Sequence, residues 1–399
     1  CKFSVIDNCG NEVPAAESGR PFIFGRNYVG GLFGCYDFCK VNELAGSEYN
    51  AVNNSNVIGV MYVGGFAGGI GIGCCKQENV NFRHPSVNEG SQPSQVNNAV
   101  TLGTIEKIKN TGVILGVKRS ALGNDTLTTK QDANIYGKYH GTSGQYWQMR
   151  LFPDEVDAGV GGIAGISRLS LNNVDNIQAD KNFALKLIFG ENFNPADLSV
   201  NTLERDTYYG GTGVGGILGL GIGDGFVNNR GANTSKGTVN AVVYGEKAVG
   251  GVIGGACLNP GESAYVRLSR VVPDDAIILG QTKVGGIVGL NNVLANEFKL
   301  NKPFRVYGIS EVGGIVGATN TSTRELGRAG LYLGADGVDI FIRGKERVGG
   351  VVGYQNYVSD IKITVTNITV EAEHDAGGVF GYLRQDFPAG TIFSLENVA

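Results

Sequence analysis

A six-residue pattern of apolar residues and glycines recurs along the whole chain. In its clearest form, at 284–289, the pattern reads VGGIVG. Nine copies are clear, and they lie at 29–34, 63–68, 160–165, 214–219, 249–254, 284–289, 312–317, 348–353 and 376–381. A degenerate copy, TGVILG, lies at 111–116. A repeat that runs from end to end predicts one elongated body rather than several globular domains.

The repeat extends upstream of the hexad. An apolar run precedes the hexad and ends in a glycine four residues before the recurrent valine, as at Gly245 before Val249 and Gly280 before Val284. Three mostly polar residues follow that glycine. Runs rich in Val, Ile, Tyr and Phe that end in Gly or Asn are strand and turn signals, whereas no comparable stretch keeps a helical period. The unit is therefore predicted to be strand, turn and strand, with little helix in the chain.

The spacing of the copies predicts the fold class. Successive hexads begin 28 to 54 residues apart, and a unit of two or three short strands buries its apolar face only by stacking on the next unit. We expect an all-β fold: a single-chain parallel β-solenoid of roughly ten coils over 1–399, about 50 Å long if the coils lie ~4.8 Å apart. The long intervals predict inserted loops or hairpins on the flank at 117–160 and 166–213.

The glycine doublets are predicted to be structural, because glycine in regular structure costs about 0.5–1 kcal/mol relative to alanine and must be compensated. Two mechanisms are open, a corner with positive φ and the close approach of another backbone, and both can act together. The doublet residues are Gly30, Gly31, Gly64, Gly65, Gly161, Gly162, Gly215, Gly216, Gly250, Gly251, Gly285, Gly286, Gly313, Gly314, Gly349, Gly350, Gly377 and Gly378.

Two apolar residues follow each doublet, and strict strand alternation would send them to opposite faces. Either both faces are covered, or the glycine corner resets the alternation. We favour burial on both faces with the flanking loops as an outer layer. On that interpretation Ile287, Ile315 and Val351 are all buried.

Composition narrows the function classes. Glycine supplies 64 of 399 residues, but there is no Gly-X-Y period and only ten prolines, which excludes collagen. The net charge of −4 comes from interspersed acidic and basic residues, so the chain has no basic surface pattern for nucleic acid or an anionic membrane. No apolar run reaches the roughly 18 residues of a transmembrane segment.

Six of the seven cysteines lie in the first 75 residues, so 1–80 is predicted to form Cys-rich N-terminal coils. We favour disulfides in an oxidising, extracellular setting. Free buried thiols and a zinc site remain open, although the spacing matches no strong metal signature. Lipidation of the first cysteine is a further interpretation. The disulfide candidates are Cys1, Cys9, Cys35, Cys39, Cys74 and Cys75.

The hexad, with its additional glycine four residues before the valine, resembles the GLUG motif of repeat arrays in large bacterial cell-surface and secreted proteins. The resemblance covers about residues 22 to 381. It implies an extracellular β-solenoid with a surface, adhesive or scaffolding role, and the motif has no catalytic residues to carry over. The degenerate copy at 111–116 and the long intervals depart from a regular array.

No catalytic or cofactor motif is present, so no cofactor, no metal and no catalytic residue is predicted. Paired carboxylates of the kind glycosidases use occur at Asp274 and Asp275 and at 154–157, where solvated turn residues are the favoured interpretation. An aromatic cluster could stack on sugar rings or anchor an inserted loop. Its members are Tyr136, Tyr139, Tyr146 and Trp147.

These observations favour an extracellular structural protein located at the cell surface. It would serve as a scaffold, an adhesin stalk or a filament subunit that assembles head to tail, because parallel coils expose unpaired strand edges at both ends. Its expected partners are further copies of the chain, other surface proteins or glycans. The alternatives are a carbohydrate-active β-helical enzyme and a glycan-binding module.

Overall fold

The computed structural model describes residues 2–3, 6–7, 22–36, 40–41, 48–70, 105–118, 159–167, 171–222, 227–228, 237–257, 266–269, 271–291, 293–319, 326–355, 362–384 and 394–398. About two thirds of these residues belong to strands, and nearly all of the strands lie in long parallel sheets that run along a common axis. The chain is therefore a parallel β-solenoid, and the predicted fold class is confirmed.

Three sheets form the faces of the solenoid. The sheet that precedes each glycine corner, called sheet 1, contains Asn27–Gly30, Met61–Gly64, Val160–Gly161, Thr212–Gly215, Val242–Tyr244, Lys247–Gly250, Ala276–Leu279, Thr282–Gly285, Phe304–Tyr307, Ser310–Gly313, Ile340–Gly349 and Ile368–Gly377. A three-stranded sheet contains Phe22–Phe24, Asn56–Gly59 and Ile114–Gly116.

Sheet 2 follows the corner and has one strand for each clear hexad, which begins at the fifth residue of the hexad. Its strands are Phe33–Tyr36, Ala67–Ile70, Ala164–Ser167, Leu218–Ile222, Ile253–Cys257, Val288–Asn291, Val316–Thr319, Val352–Gln355 and Phe380–Leu383. Sheet 3 closes the coil with Ile6–Asp7, Ala51–Asn53, Ile105–Asn110, Leu171–Ile177, Val227–Asn228, Gly237–Asn240, Val266–Ser269, Val271–Pro273, Val293–Leu300, Leu326–Leu333, Lys362–Val365 and Ser394–Val398. A separate pair joins Lys2–Phe3 to Lys40–Val41.

Successive coils stack in the register of the hexads. Val284 pairs with Val249 on one side and with Val312 on the other, and Gly285 lies between the first doublet glycines of the same two coils. After the corner, Val288 has the same relationship to its equivalents in sheet 2. Because equivalent residues lie above one another, each hexad position forms a column along the axis.

The apolar columns build two clusters. The inner cluster fills the space between the three sheets and contains the hexad valines together with residues such as Ile278 and Leu333. The outer cluster lies on the flank and includes Val242, Tyr244 and Leu279. Burial inside such a stack supplies the apolar contacts that no single coil could make.

The second inserted segment covers the outer cluster. Part of 166–213 belongs to the coil, because Leu171–Ile177 is a strand of sheet 3. The remainder contains a helix, α1 (Lys181–Phe189), and 3₁₀ helices at Pro195–Asp197 and Val200–Glu204 rather than a hairpin. Of the other predicted insertion, at 117–160, all but the two ends lies outside the described residues.

Candidate functional site

The recurrent hexad forms a tight corner between sheets 1 and 2. In the copy at 284–289, the turn is made by Gly286 and Ile287. Every amide of the turn is used by the next coil: Gly286 N donates to Gly313 O at 3.0 Å, and Ile287 N donates to Ile315 O at 2.9 Å. Val288 N also donates to Ile315 O, at 3.0 Å. The corner is therefore part of the hydrogen-bonded ladder between coils.

The doublet glycines are required because backbone approaches backbone. A Cβ on Gly250 would collide with the carbonyl oxygen of Ile253 in its own coil and would lie 2.6 Å from that of Ile287 in the next. A Cβ on Gly251 would collide with the carbonyl oxygen of Gly286. The same contacts recur from coil to coil. Close approach is thus one of the two mechanisms that the sequence left open.

The third hexad glycine packs in the opposite direction, against the preceding coil. A Cβ on Gly289 would collide with the peptide that joins Ala248 to Val249 and would lie 2.8 Å from Ala248 Cα. Gly317 has the same relationship to Lys283. Each corner therefore contacts the following coil through its doublet and the preceding coil through its last glycine.

Positive φ occurs in the corner, but just before the valine rather than at the doublet. None of the doublet glycines has a φ in the left-handed region. The residue just before the valine has it instead in all nine clear copies, with φ between 53° and 71° at Tyr28, Tyr62, Gly159, Gly213, Ala248, Lys283, Glu311, Arg347 and Asp375. Of the two mechanisms left open, positive φ therefore does not apply to the doublets themselves, because the strand bends one residue before the valine.

The glycine four residues before the valine has a separate role. A Cβ on Gly280 would lie 2.8 Å from Cγ2 of Val284 and 2.8 Å from Cγ2 of Val249. The methyl groups of two stacked hexad valines thus occupy the space beside this glycine. The spacing from glycine to valine in the sequence is the signature of that contact.

Both apolar residues after the doublet are buried. Ile287, Ile315 and Val351 are each 0% exposed, as expected. However, Ile287 and Val288 belong to the same inner cluster, so the flanking segments are not what covers one of them. The interpretation of burial on two separate faces is wrong here, because Ile287 lies in the turn and the corner resets the alternation.

The degenerate copy at 111–116 is not a corner. Ile114–Gly116 pairs with Val57, Ile58 and Gly59, which precede a corner. A Cβ on Gly116 would lie 2.9 Å from Cγ2 of Val160. Gly116 therefore corresponds to the single glycine before the valine. The predicted tenth hexad is wrong, because its last three residues form the strand upstream of the corner that begins at Val160.

A buried asparagine ladder supports the first corners from inside. Asn53 Nδ2 donates to Asn110 Oδ1 at 2.7 Å, and Asn110 Nδ2 donates to Asn176 Oδ1 at 2.8 Å. The three side chains are 0%, 0% and 3% exposed. Each asparagine side chain packs directly against the second glycine of a doublet, so that a Cβ on that glycine would collide with it. Asn110 has this relationship to Gly65. The ladder and the glycine corner are thus one packing unit.

The inserted helical segment is fastened to the flank by polar contacts. The side-chain amide of Gln178 binds the backbone of Val242 as a neighbouring strand would. Val242 N donates to Gln178 Oε1 at 2.8 Å, and Gln178 Nε2 donates to Val242 O at 3.3 Å. Further along, Thr207 Oγ1 lies 2.8 Å from Tyr244 Oη. Lys345 Nζ donates to Glu204 Oε1 at 2.6 Å. The segment therefore lies along several coils.

Titratable groups on the flank have shifted pKa values. Burial raises the pKa of Tyr244. Burial also raises the pKa of Tyr49, whose hydroxyl donates to Asp175 at 2.8 Å and is disfavoured from ionising by that carboxylate. For Lys118, burial lowers the pKa but the neighbouring Glu246 outweighs it, so the pKa is raised overall.

The other predicted site residues are only partly described. All eighteen doublet glycines lie at corners. Cys35 is half-buried in Phe33–Tyr36, whereas Cys1, Cys9, Cys39, Cys74 and Cys75 lie outside the described residues. So do the four aromatic candidates, Tyr136, Tyr139, Tyr146 and Trp147.

Two of the acidic side chains singled out in the sequence, Asp274 and Asp275, are engaged in ion pairs, whereas 154–157 lie outside the described residues. Asp275 pairs with Lys181 of α1, and Asp274 lies 3.8 Å from Lys302. Within the described ranges, no three His, Cys, Asp or Glu side chains are grouped as metal ligands. Among the described helices, none is long and apolar enough to cross a membrane.

Comparison of the chain with protein-family models, with curated proteins and with solved structures gave no match.

Proposed function

We propose that this chain is an extracellular structural protein that acts as a surface scaffold, an adhesin stalk or a filament subunit. The observation that carries the proposal is that the backbone groups of the recurrent motif bind the neighbouring coils of the same chain. The amides of Gly286 and Ile287 bond to the next coil, and the glycines contact backbone on both sides. A loop that cradles a phosphate would instead direct such amides at a ligand.

The ion pairs of the acidic residues support a structural role over a glycosidase. A catalytic pair needs two carboxyl groups that face a common groove about 5–10 Å apart. Asp275 is held by Lys181 of the inserted helix, and its main-chain oxygen accepts from the same Nζ at 2.7 Å. These contacts give Asp275 the role of an attachment point for the insertion.

Two further observations support an extracellular location. The hexad resembles the GLUG motif of secreted and surface proteins. In addition, six of the seven cysteines lie in the first 75 residues, a clustering that is typical of a disulfide-linked end of a chain. Disulfides persist in oxidising compartments, so we propose that the cysteines of 1–80 cross-link the N-terminal coils.

The proposal is tested on chain 1–399 exported to an oxidising compartment. We expect cysteine alkylation without reduction to leave Cys1, Cys9, Cys35, Cys39, Cys74 and Cys75 unmodified in the intact mass. Small-angle scattering should give a rod, and a panel of polysaccharides should release no reducing ends above buffer. Six freely alkylated cysteines would contradict the extracellular part, and turnover of any polysaccharide would contradict the structural part.

A further inference from the structure

The inner core is incompletely covered at the two ends of the stack. Among the described residues, nine apolar side chains are packed against the inner cluster while remaining half-buried, and seven of them lie in the first or last hexad-bearing coil. At the N-terminal end they are Ile23, Leu32 and Phe33; at the C-terminal end they are Ile368, Val370, Ala372 and Phe380. Equivalent positions in the middle, such as Ile278 and Ile287, are 0% exposed.

The sheets also end in open strand edges. Among the described residues, Asn27–Gly30 and Phe33–Tyr36 each have a neighbouring strand on one side only, and so do Ile368–Gly377 and Phe380–Leu383. The two edges of a parallel sheet are complementary. The N–H and C=O groups left unpaired at one edge are of the kind that, between interior strands, pair with the groups left unpaired at the other edge. Each end of this solenoid therefore presents what the other end lacks.

We infer that the C-terminal edge of one copy of this chain binds the N-terminal edge of a second copy in the same register that relates successive coils. The inference rests on the proposed structural function and names its partner and interface. Counting from the hexad valine, Val370 is placed opposite Ile23 of the next copy, and Phe380 is placed opposite Phe33. These pairs continue the apolar columns that are already buried within the chain.

The glycine corner fits the same register. Within the chain, Gly68 packs on the peptide that follows Tyr28, and Gly381 packs on the one that follows Arg347. In the junction Gly34, the last glycine of the first hexad, takes the same position over Asp375 of the preceding copy. Asp375 has a φ of 55°, as the residue before the valine has in the other copies. The backbone conformation needed on the C-terminal edge is therefore already present.

Charge distinguishes this register from others. Lys345 lies three residues before the hexad valine of its coil. Glu373 lies three residues before Ala376, the equivalent residue of the neighbouring coil, and is exposed. The pKa of Lys345 is raised chiefly by its hydrogen bond to Glu204 and further by Glu373. Arg26 holds that position in the first coil. In the junction Arg26 lies opposite Glu373, so that Glu373 has a positively charged residue on both sides, Lys345 in its own copy and Arg26 in the next.

A second copy is a better occupant than an unrelated protein. Strand register, apolar columns, corner glycines and the charge pair all follow the rule that stacks the chain's own coils. An unrelated partner would have to reproduce each of them.

The test uses chain 1–399 and two charge reversals, Arg26→Glu and Glu373→Arg. Sedimentation velocity and negative-stain microscopy over increasing concentration measure end-to-end association. We expect the unmodified chain to form linear assemblies, and each variant alone to associate about tenfold or more weakly, because like charges then meet. An equimolar mixture should recover association, since each variant keeps the edge that complements the other.

The matched controls are Lys302→Glu and Asp339→Arg, which make the same charge changes on the side of the solenoid. They should assemble like the unmodified chain, and far-ultraviolet circular dichroism confirms that every variant is folded. A chain that stays monomeric at millimolar concentration, or variants that assemble normally, would overturn the inference. If the protein is disulfide-bonded and rod-shaped, either of these two results would contradict the end-to-end contact alone and not the proposed structural function. Polysaccharide turnover would instead contradict the structural function.

Discussion

Asn110 donates its side-chain amide to Oδ1 of Asn176 across 2.8 Å inside the solenoid, and no part of Asn110 is exposed to solvent. The same Nδ2 donates to Gly112 O at 2.9 Å, while Oδ1 accepts from Asn53. One side chain thus satisfies polar groups in its own coil and in both neighbouring coils.

The first prediction follows from that ladder. Asn110→Ala should lower the free energy of unfolding by about 2–4 kcal/mol, because a buried polar group left without its partner costs about 1–3 kcal/mol. Chemical denaturation monitored by circular dichroism measures the change. Asn201→Ala, at an exposed asparagine, is the control and should be nearly neutral. Equal effects of the two substitutions would show that the ladder does not stabilise the fold.

The second prediction concerns the inserted helix. Leu185 of α1 is 1% exposed and packs in the outer cluster. Leu185→Ala should cost about 2–5 kcal/mol, since it leaves a cavity between helix and sheet. Lys186→Ala, on the exposed side of the helix, should cost under about 0.5 kcal/mol. Hydrogen exchange should show faster exchange in Val242–Tyr244 only for Leu185→Ala, and unchanged exchange would argue that the helix does not protect that strand.

The repeated corner could be predicted from the sequence because its cause is local. Each hexad contains the valine, the doublet and the final glycine that its own contacts require, and their excess over ordinary glycine use marks them. The positive φ before the valine could not be predicted. That position holds Tyr, Gly, Ala, Lys, Glu, Arg or Asp, so the bend is imposed by stacking rather than by residue preference.

Non-local features were missed for a different reason. Asn53, Asn110 and Asn176 meet in space, but insertions of different length separate them in the sequence, which hides their common register. The degenerate copy at 111–116 imitates a hexad by glycine spacing alone, and only the pairing of Gly116 with Gly59 reveals its position.

The inserted helix did have a local signal. Asp180 caps it by accepting from Phe183 N at 3.0 Å, and Gly190 ends it. A capping residue before an apolar run and a glycine after it are helix boundary signals.

The third prediction concerns alkaline pH. Burial raises the pKa of Tyr244 above its ordinary value of 10.0. The unfolded chain therefore loses this proton near pH 10, while the folded chain keeps it to higher pH. A raised folded-state pKa contributes stability that is complete below pH 10 and is lost as the pH rises further. We expect the free energy of unfolding to fall above about pH 10.

A pair of aromatic substitutions tests this pH effect and controls for it. Tyr244→Phe should make the fall shallower, by up to about 1.4 kcal/mol per pH unit for one proton. Phe24→Leu should leave the slope unchanged, because Phe24 is 70% exposed and has no titratable group. Denaturation midpoints between pH 9 and 11.5 measure both slopes. Identical slopes in the two variants would refute the assignment to Tyr244.

The most direct test of the corner is the unfolding free energy of Gly286→Ala. If the hexad were ordinary strand or loop, alanine would stabilise the chain by about 0.5–1 kcal/mol. In this structure the new Cβ would collide with the carbonyl oxygen of Gly314 and lie 2.7 Å from the ring of Phe304. We predict a loss of about 3 kcal/mol, at the upper end of the cost of overpacking, because the Cβ meets backbone. Gly190→Ala is the comparison, since a Cβ there meets nothing within 4 Å and the loss of about 1–3 kcal/mol comes from the backbone conformation alone, with φ 105° and ψ 153°. A neutral or stabilising Gly286→Ala would contradict the account of the hexad as a stacking corner.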